Sequence, residues 1–448
     1  MVRVSRYRGR FGPEQAERLL WRAGFGPRPG EAKRLSKLGL ERAVRSLTRP
    51  AATRLVGPAP RDNDGLPLAP YDAYGHDLLF WLDRMVRTST PLVERMALTW
   101  HDWFATGDVG SQRLGLGQAG LFRKRALGSF KQLLLDVTHD PAMLIWLSGN
   151  ENSKDAPNEN YARELMELFT LGASNSAGYP YSEEDVREQA RALTGWRNDW
   201  DNNVGPTNFR YDPKLHDDGV KRIFGQRGKF GWADACSLVI GHRAHPGHFV
   251  NKLWSYFVPT PPSAKTRKAL VALYKYKHRY AVRPVVEAIL MHPAFYGGSS
   301  MVKPPVVYIA GMLRARGRGI DTESWTWLSD VAGQRLFEPP NVAGWDERRW
   351  LDTSTLRGRW NSAAEIVGKD EVPSDGYSEV ETPAAALAAA LSYWGNPTIT
   401  NATRSQLTSF AQAAQDAAVA DWQRGTYRAL RQNALRLLIA TSPDMETC

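Results

Sequence analysis

Apolar residues along this chain return mostly every three to four positions, the period of a buried helix face. Residues 13–25 place Ala16, Leu19, Leu20 and Ala23 at that spacing behind Pro13, which suits a first helical position. The same pattern predicts helices over 30–47, 74–104, 232–256, 263–277, 282–291, 303–316 and 322–331. Two more fall within 114–147, and a C-terminal pair covers roughly 383–395 and 403–442. Ser182, with Asp185 three residues on, predicts a capped helix start, and Val186, Ala190 and Leu193 its apolar stripe. Residues 50–70, rich in Pro, Gly, Asn and Asp, read as a long loop. Residues 197–230 are polar, aromatic and Gly-rich, which predicts an ordered loop or a short hairpin of the kind that carries function. The fold class expected is all-α, a multi-helix globular protein with long ordered loops and at most a small β-hairpin. The expected division is a main helical domain at 1–365, a linker-like stretch at 366–382, and a C-terminal helical segment at 383–448 packing on the main domain.

The segment PNENYARELMELFTLG at 157–172 is the most sharply patterned. At about 100° per residue, Glu159, Asn160, Arg163, Glu164, Glu167 and Thr170 fall on one arc of a helix. Tyr161, Ala162, Leu165, Met166, Leu168 and Phe169 fall on the other, and Asn158 is placed to cap the start. A solvated face stitched by Glu159–Arg163 and Arg163–Glu167 pairs would explain this, each pair contributing about 0.3–0.5 kcal/mol. The alternative lines a cleft with the polar arc, where carboxylates and an arginine bind a metal or ligand, or act as acid and base. In that reading Glu164 and Glu167, at i and i+3, reach a shared ion.

Composition removes several classes. A chain of 448 residues buries a large core without disulfide or metal staples. Its two cysteines, Cys236 in an apolar run and Cys448, make neither a disulfide framework nor a Cys-based metal site. The net charge of +11 is spread along the chain among acidic residues. Its densest run, residues 3–12, reads as a solvated arm, and no zinc-finger or RNP motif accompanies it, so nucleic acid is not the expected partner. No secretory signal and no run of about eighteen apolar residues is seen, so the expectation is a cytoplasmic protein without a membrane span. Sixteen tryptophans point to aromatic core anchors, with an aromatic groove for sugars or other flat ligands as the rival.

Candidate chemistry is scattered. His101 sits between Trp100 and Trp103, and His216 beside Asp217 and Asp218. A divalent-metal site would combine His101 and His216 with Glu164 and Glu167, although no single segment has ligand spacing that demands one. His242, His245 and His248 are spaced by three, but Pro246 interrupts a helix there. There is no GxSxG elbow, Walker A loop, HExxH motif or GxGxxG after a strand, which weakens the common hydrolase, kinase and dinucleotide readings.

Several segments together resemble the bacterial family known as domain of unknown function 1800. They are RLLWRAGFGPRPGE at 18–31, WHDWF at 100–104, HDPAMLIWLSGNENSKDAPNENYARELMELFTLG at 139–172 and YSEEDVREQARALTGW at 181–196. LHDDGVKRIFG at 215–225, LFEPPNVAGWDERRWLDTSTLRGRWN at 336–361 and RLLIATSP at 436–443 complete the set. The resemblance implies a largely helical protein, often exported, whose gene often neighbours one for another unknown family, number 1501, similar to phosphatases and sulfatases. The motif residues it carries onto this chain are Asn158, Glu159, Asn160, Arg163, Glu164, Glu167, Thr194, Gly195, Trp196, His216 and Asp217. From the NVAGW segment it adds Asn341, Gly344, Trp345 and Trp350. Where the family pattern is His-Asn-His-Phe, this chain has His101-Asp102-Trp103-Phe104, which costs a metal set its second histidine unless Asp102 compensates.

Two functional expectations follow. The first is an enzyme with a polar cleft in which Glu159, Arg163, Glu164, Glu167 and His216 are catalytic. Asn158, Asn160, Asp217, Trp196 and Trp345 bind the ligand, and His101, Glu164, Glu167 and His216 ligate a divalent metal. The second is a non-catalytic partner or scaffold for the phosphatase-like neighbour, docking through 197–230 and 336–361.

Overall fold

In a computed structural model of the protein, the described residues are 4–173, 178, 180–374 and 381–448. The protein is mostly helical. Paired strands occur only in 196–228, as two antiparallel hairpins among the described residues. Strand β1 (Trp196–Asp201) pairs with β2 (Gly205–Tyr211), with a register shift between Arg197 and Asp199. Strand β3 (Lys221–Ile223) pairs with β4 (Gln226–Gly228). The Gly-rich stretch expected to be a loop or short hairpin therefore holds both. Of the linker-like stretch 366–382, the first residues finish the helix Thr353–Lys369, and 375–380 lie outside the described residues, as does Arg3 of the basic arm.

Helix ends depart from the apolar pattern where side chains offer better local hydrogen bonds. The pattern over 74–104 is two helices, His76–Arg87 and Pro91–Trp103. Between them Thr88 Oγ1 accepts the Thr90 N–H at 3.0 Å, and Pro91, which has no N–H to lose, starts the next helix. Residues 114–147 give three helices rather than two, because Asp140 caps Pro141–Trp146 by accepting the Met143 N–H at 3.1 Å. The stretch 232–256 is broken likewise, with the His242 Nδ1 accepting the Ala244 N–H ahead of Pro246. Ser182 and Asp185 form the expected reciprocal cap.

The chain folds into two compact units, each assembled from separate stretches of sequence. The first comprises 1–8, 92–297 and 336–345. Its core is aromatic: Trp103, Phe104, Phe130, Phe169, Phe249 and Tyr274 are buried, with Phe249 stacked on Tyr274 at 4.0 Å. Removing one such ring costs about 3–5 kcal/mol. The second comprises 9–91, 298–335 and 346–448. It is pinned by two fully buried arginines. Arg314 donates to the carbonyls of Gly26 and Val86, and Arg359 to Glu446 at 2.7 Å and to the Lys303 carbonyl at 2.6 Å.

The patterned segment in the first unit is not one regular helix. Asn160–Glu164 is α-helical and Leu165–Leu171 is π-helical. Burial through it repeats every four residues, with Tyr161–Ala162, Leu165–Met166 and Phe169–Thr170 inside and Arg163–Glu164 and Glu167–Leu168 half-buried. The wider π turn brings Thr170 off the expected polar arc into the core and Leu168 off the apolar arc.

Candidate functional site

Both ends of that helix meet a polar centre within the first unit. At its start, Asn158 accepts the Asn160 N–H at 2.9 Å, and its own N–H donates to the side chain of buried Asn152. The Asn152 carbonyl accepts the Gly195 N–H at 3.0 Å and the Arg197 guanidinium, and Lys154 N–H donates to Leu215. Three of the motif segments, 150–160, 194–197 and 215–217, are thus tied together by backbone bonds.

Gly195 has φ of +112°, and a Cβ there would lie 2.8 Å from the Tyr211 ring and 3.3 Å from His216 Cβ. Only glycine lets the strand start pass this close to the histidine. Thr194, fully buried, donates its hydroxyl to the Arg191 carbonyl and accepts the Asp217 N–H at 2.8 Å. Its carbonyl lies 3.0 Å and its hydroxyl oxygen 3.1 Å from His216 Nδ1. The hydroxyl proton is spent on the Arg191 carbonyl and a carbonyl only accepts, so Nδ1 carries the proton and Nε2 keeps its lone pair. That Nε2 has no partner among the described residues. Asp217 is fully engaged: Arg191 grips it at 2.7 and 3.3 Å, and the Gly219 N–H donates to it at 2.9 Å. Burial pushes its carboxyl up, but Arg191, the Gly219 N–H and Lys221 outweigh this and hold it below the ordinary carboxylate range. Asp217 therefore anchors the histidine loop instead of facing a ligand.

Around His216 stand Tyr211 at 5.8 Å and, beyond it, Trp196, Trp232 and His139, with ring centroids 5.4–5.6 Å apart. The Trp196 Nε1–H is buried and has no acceptor among the described residues, and the His139 ring has no hydrogen bond there. Sequence reasoning placed neither His139 nor Trp232 at a site: His139 only opened the motif at 139–172, and Trp232 showed nothing beyond its place at a helix start.

The other end supplies carbonyls. Leu168 accepts Lys252 Nζ and His248 Nε2, both at 3.2 Å, Phe169 accepts Trp103 Nε1 at 3.1 Å, and Thr170 accepts His245 Nδ1 at 3.1 Å. Terminal carbonyls carry the negative end of the helix dipole, which suits an ammonium. Lys252 also lies 4.8 Å over the Trp103 ring, and burial lowers its pKa to about 8 despite Asp102 nearby. The Asp102 carboxyl is pushed up by burial, against the pull of the Tyr256 hydroxyl at 2.6 Å, the Trp345 N–H at 2.8 Å and Lys252. Gly344, with φ of +92°, leaves room for that carboxylate, since a Cβ would sit 2.3 Å from its Oδ1. The departure from the family pattern at 102–103 thus places an aspartate on the NVAGW turn and an indole on the helix end.

The remaining expected residues fall elsewhere. His101 is buried, its Nε2 accepts the Phe337 N–H at 3.1 Å, and burial lowers its pKa to about 3. Trp345 packs 5.3 Å from it. Arg163 bridges Glu159 at 2.9 Å and Glu183 at 2.8 Å, with about a third of each of the first two side chains exposed. Asn160 is exposed. Glu164 and Glu167 make no hydrogen bond or ion pair among the described residues, and burial, then Glu167, raises the Glu164 carboxyl.

His101, Glu164, Glu167 and His216 do not form a ligand cluster. Among the described residues the group whose donor atoms come together is Asp62, His76 and Glu323 in the second unit, all within 4.8 Å of one another. Nothing in its sequence spacing pointed there. Its protonation disfavours a metal. His76 Nδ1 accepts the Ala69 N–H at 2.9 Å, so Nε2, 3.5 Å from Glu323, carries the proton. A metal on Nε2 would force the proton to Nδ1, against an N–H. Asp62 meanwhile accepts the Asp64 and Leu66 N–H groups. The cluster reads as a clasp on the loop before the helix His76–Arg87.

No helix among the described residues is long and apolar enough to cross a membrane. The family model described as protein of unknown function (DUF1800) matches residues 18–447, nearly the whole chain. No curated protein and no solved structure matches.

Proposed function

For a chain that belongs to the DUF1800 family of unknown function, we propose an enzyme of proton-transfer chemistry whose general base is His216. One observation carries this reading: the Nδ1–H bond to the Thr194 carbonyl leaves Nε2 with a lone pair and no partner among the described residues. Such a nitrogen draws a proton from a substrate hydroxyl or an attacking water, as in hydrolysis or elimination. The buried Trp196 N–H is a donor for an oxygen of the same ligand, and Tyr211 and Trp232 supply apolar walls. Asp217, Thr194 and Gly195 are positioning residues. Arg163 and Glu159, about a third exposed and paired with each other, are read as support for the neighbouring helix. Glu164 and Glu167, without a partner among the described residues, stay as the candidate carboxylates for a cation or a second proton carrier. A cytoplasmic location goes with this reading, and cell fractionation tests it.

The test is turnover of a panel of p-nitrophenyl esters, phosphates and glycosides by the full chain and by His216→Gln. The expected result is a substrate whose kcat falls at least about 100-fold in the variant. Equal rates in both proteins, or no turnover across the panel, would count against the reading.

A second reading rests on the β1–β2 hairpin. Trp200 is 69% exposed there and Val204 51%, a bare apolar tip on the stretch expected to dock a partner. The resemblance offers the phosphatase-like family 1501 neighbour as that partner. Co-expression of the two with Trp200→Asp tests it: loss of the complex with the fold intact supports docking, and an unchanged complex rejects it.

A further inference from the structure

The first unit contains a cavity of about 1060 Å³ that the His216 site does not use. Its floor is apolar, formed by Ala269, Ala272, Leu273, Pro284, Ala288 and Met291. Residues 4–8 close one side, held by the Tyr7 N–H bond to the Met291 carbonyl at 2.8 Å and by Tyr7 packing 4.7 Å from Tyr296. Over these residues the basic arm also walls the cavity, while Ser5, Arg6 and Arg8 stay exposed.

The rim is basic, with the cations of Arg8 and Lys277 beside the His278 imidazole. Arg8, Lys277 and His278 line it, and their side chains make no hydrogen bond or ion pair with the described residues. Arg6 and Glu287 also line it, and Glu287 is the one carboxylate in the lining. The backbone here is irregular. Leu273–Lys277 is a π-helical turn, and Arg279 and Tyr280 take φ of +45° and +68°, values that cost a non-glycine residue about 1–3 kcal/mol each. Backbone strain and π turns both cluster at functional sites.

We propose that this cavity binds a single-chain fatty carboxylate, with the chain on the alanine–leucine–methionine floor and the carboxylate against Arg8, Lys277 and His278. The chemistry argues for that class. An apolar floor alone would take any hydrocarbon, and exposed cations alone any anion, but the two together at one mouth favour a ligand with both. The volume, just above the roughly 300–1,000 Å³ of small-molecule sites, leaves room for an acyl chain.

Calorimetric titration of the full chain with laurate, dodecanol and inorganic phosphate tests this. Laurate should bind at least tenfold more tightly than either of the others. Arg8→Glu combined with Lys277→Glu, both exposed positions, should weaken laurate at least tenfold and leave dodecanol unchanged. Ala272→Trp, which fills the floor, should abolish binding of both chains, with circular dichroism checking that it folds. Equal binding of laurate and dodecanol, phosphate binding as tight as laurate, or no laurate binding at all would overturn the proposal.

Discussion

His216 Nδ1 lies 3.0 Å from the carbonyl oxygen of Thr194, and that contact decides which ring nitrogen is left for chemistry. The same threonine takes the N–H of Asp217, so one buried residue sets both the tautomer and the course of the loop. Thr194→Val keeps the shape but removes the hydroxyl that the Asp217 N–H needs. Urea unfolding should show a loss of about 1–3 kcal/mol, the cost of an unsatisfied buried donor. A loss below a few tenths would mean that the hydroxyl does not hold the loop.

Gly195→Ala should act on the site and on stability together. The added Cβ meets Tyr211 at 2.8 Å, the Asp212 carbonyl at 3.2 Å and His216 Cβ at 3.3 Å, in a backbone region that L side chains avoid. Strain and overpacking together should cost about 2–4 kcal/mol in denaturant unfolding. The His216 ring resonances should shift in the folded variant.

Lys252 gives a pH dependence of definite sign. Its folded pKa is about 8, below the ordinary 10.5, so between those values the unfolded chain holds a proton that the folded chain has released. Stability from this group therefore rises as pH increases from about 8 to 10.5, by at most about 3 kcal/mol. Buried Lys303, also lowered to about 8, adds a rise of the same sign. Unfolding measured at pH 8 and pH 10 should show a smaller rise in Lys252→Met than in the wild type. An unchanged rise would mean that the ammonium is not buried as described.

The Asp62–His76–Glu323 clasp should ignore metals. Thermal unfolding with zinc, magnesium or EDTA should give the same difference between wild type and His76→Ala in every condition. The variant should be less stable by about 1–2 kcal/mol through loss of the Ala69 bond. A zinc-dependent stabilisation present only in the wild type would show that the imidazole changes tautomer to bind metal.

Helix class was legible because most faces are amphipathic, and the family membership because the motifs at 139–172 and 336–361 are long. The boundaries at Thr88–Thr90, Asp140 and His242 were less so, since side-chain hydrogen bonds decided them against a continuous apolar period. At 157–172 the helical wheel failed for a physical reason. It assumes 3.6 residues per turn, and the π turn from Leu165 moves Thr170 inward. Of the candidate site, His216, Trp196 and Asp217 were named from their motif, yet Asp217 proved an anchor with every strong contact already taken. Trp232 and Lys252 lie outside the motifs and His139 only opens the one at 139–172, and tertiary packing alone brings all three beside residues that matter.

The central claim is that His216 offers an Nε2 that keeps its lone pair and meets no partner among the described residues. It is tested most directly by long-range ¹H–¹⁵N correlation spectra of the full chain labelled at histidine, with His216 assigned by its absence in His216→Gln. A protonated Nδ1 and a pyridine-like Nε2 in the neutral ring are the predicted result. A ring protonated at Nε2, or one that samples both tautomers equally, would contradict it.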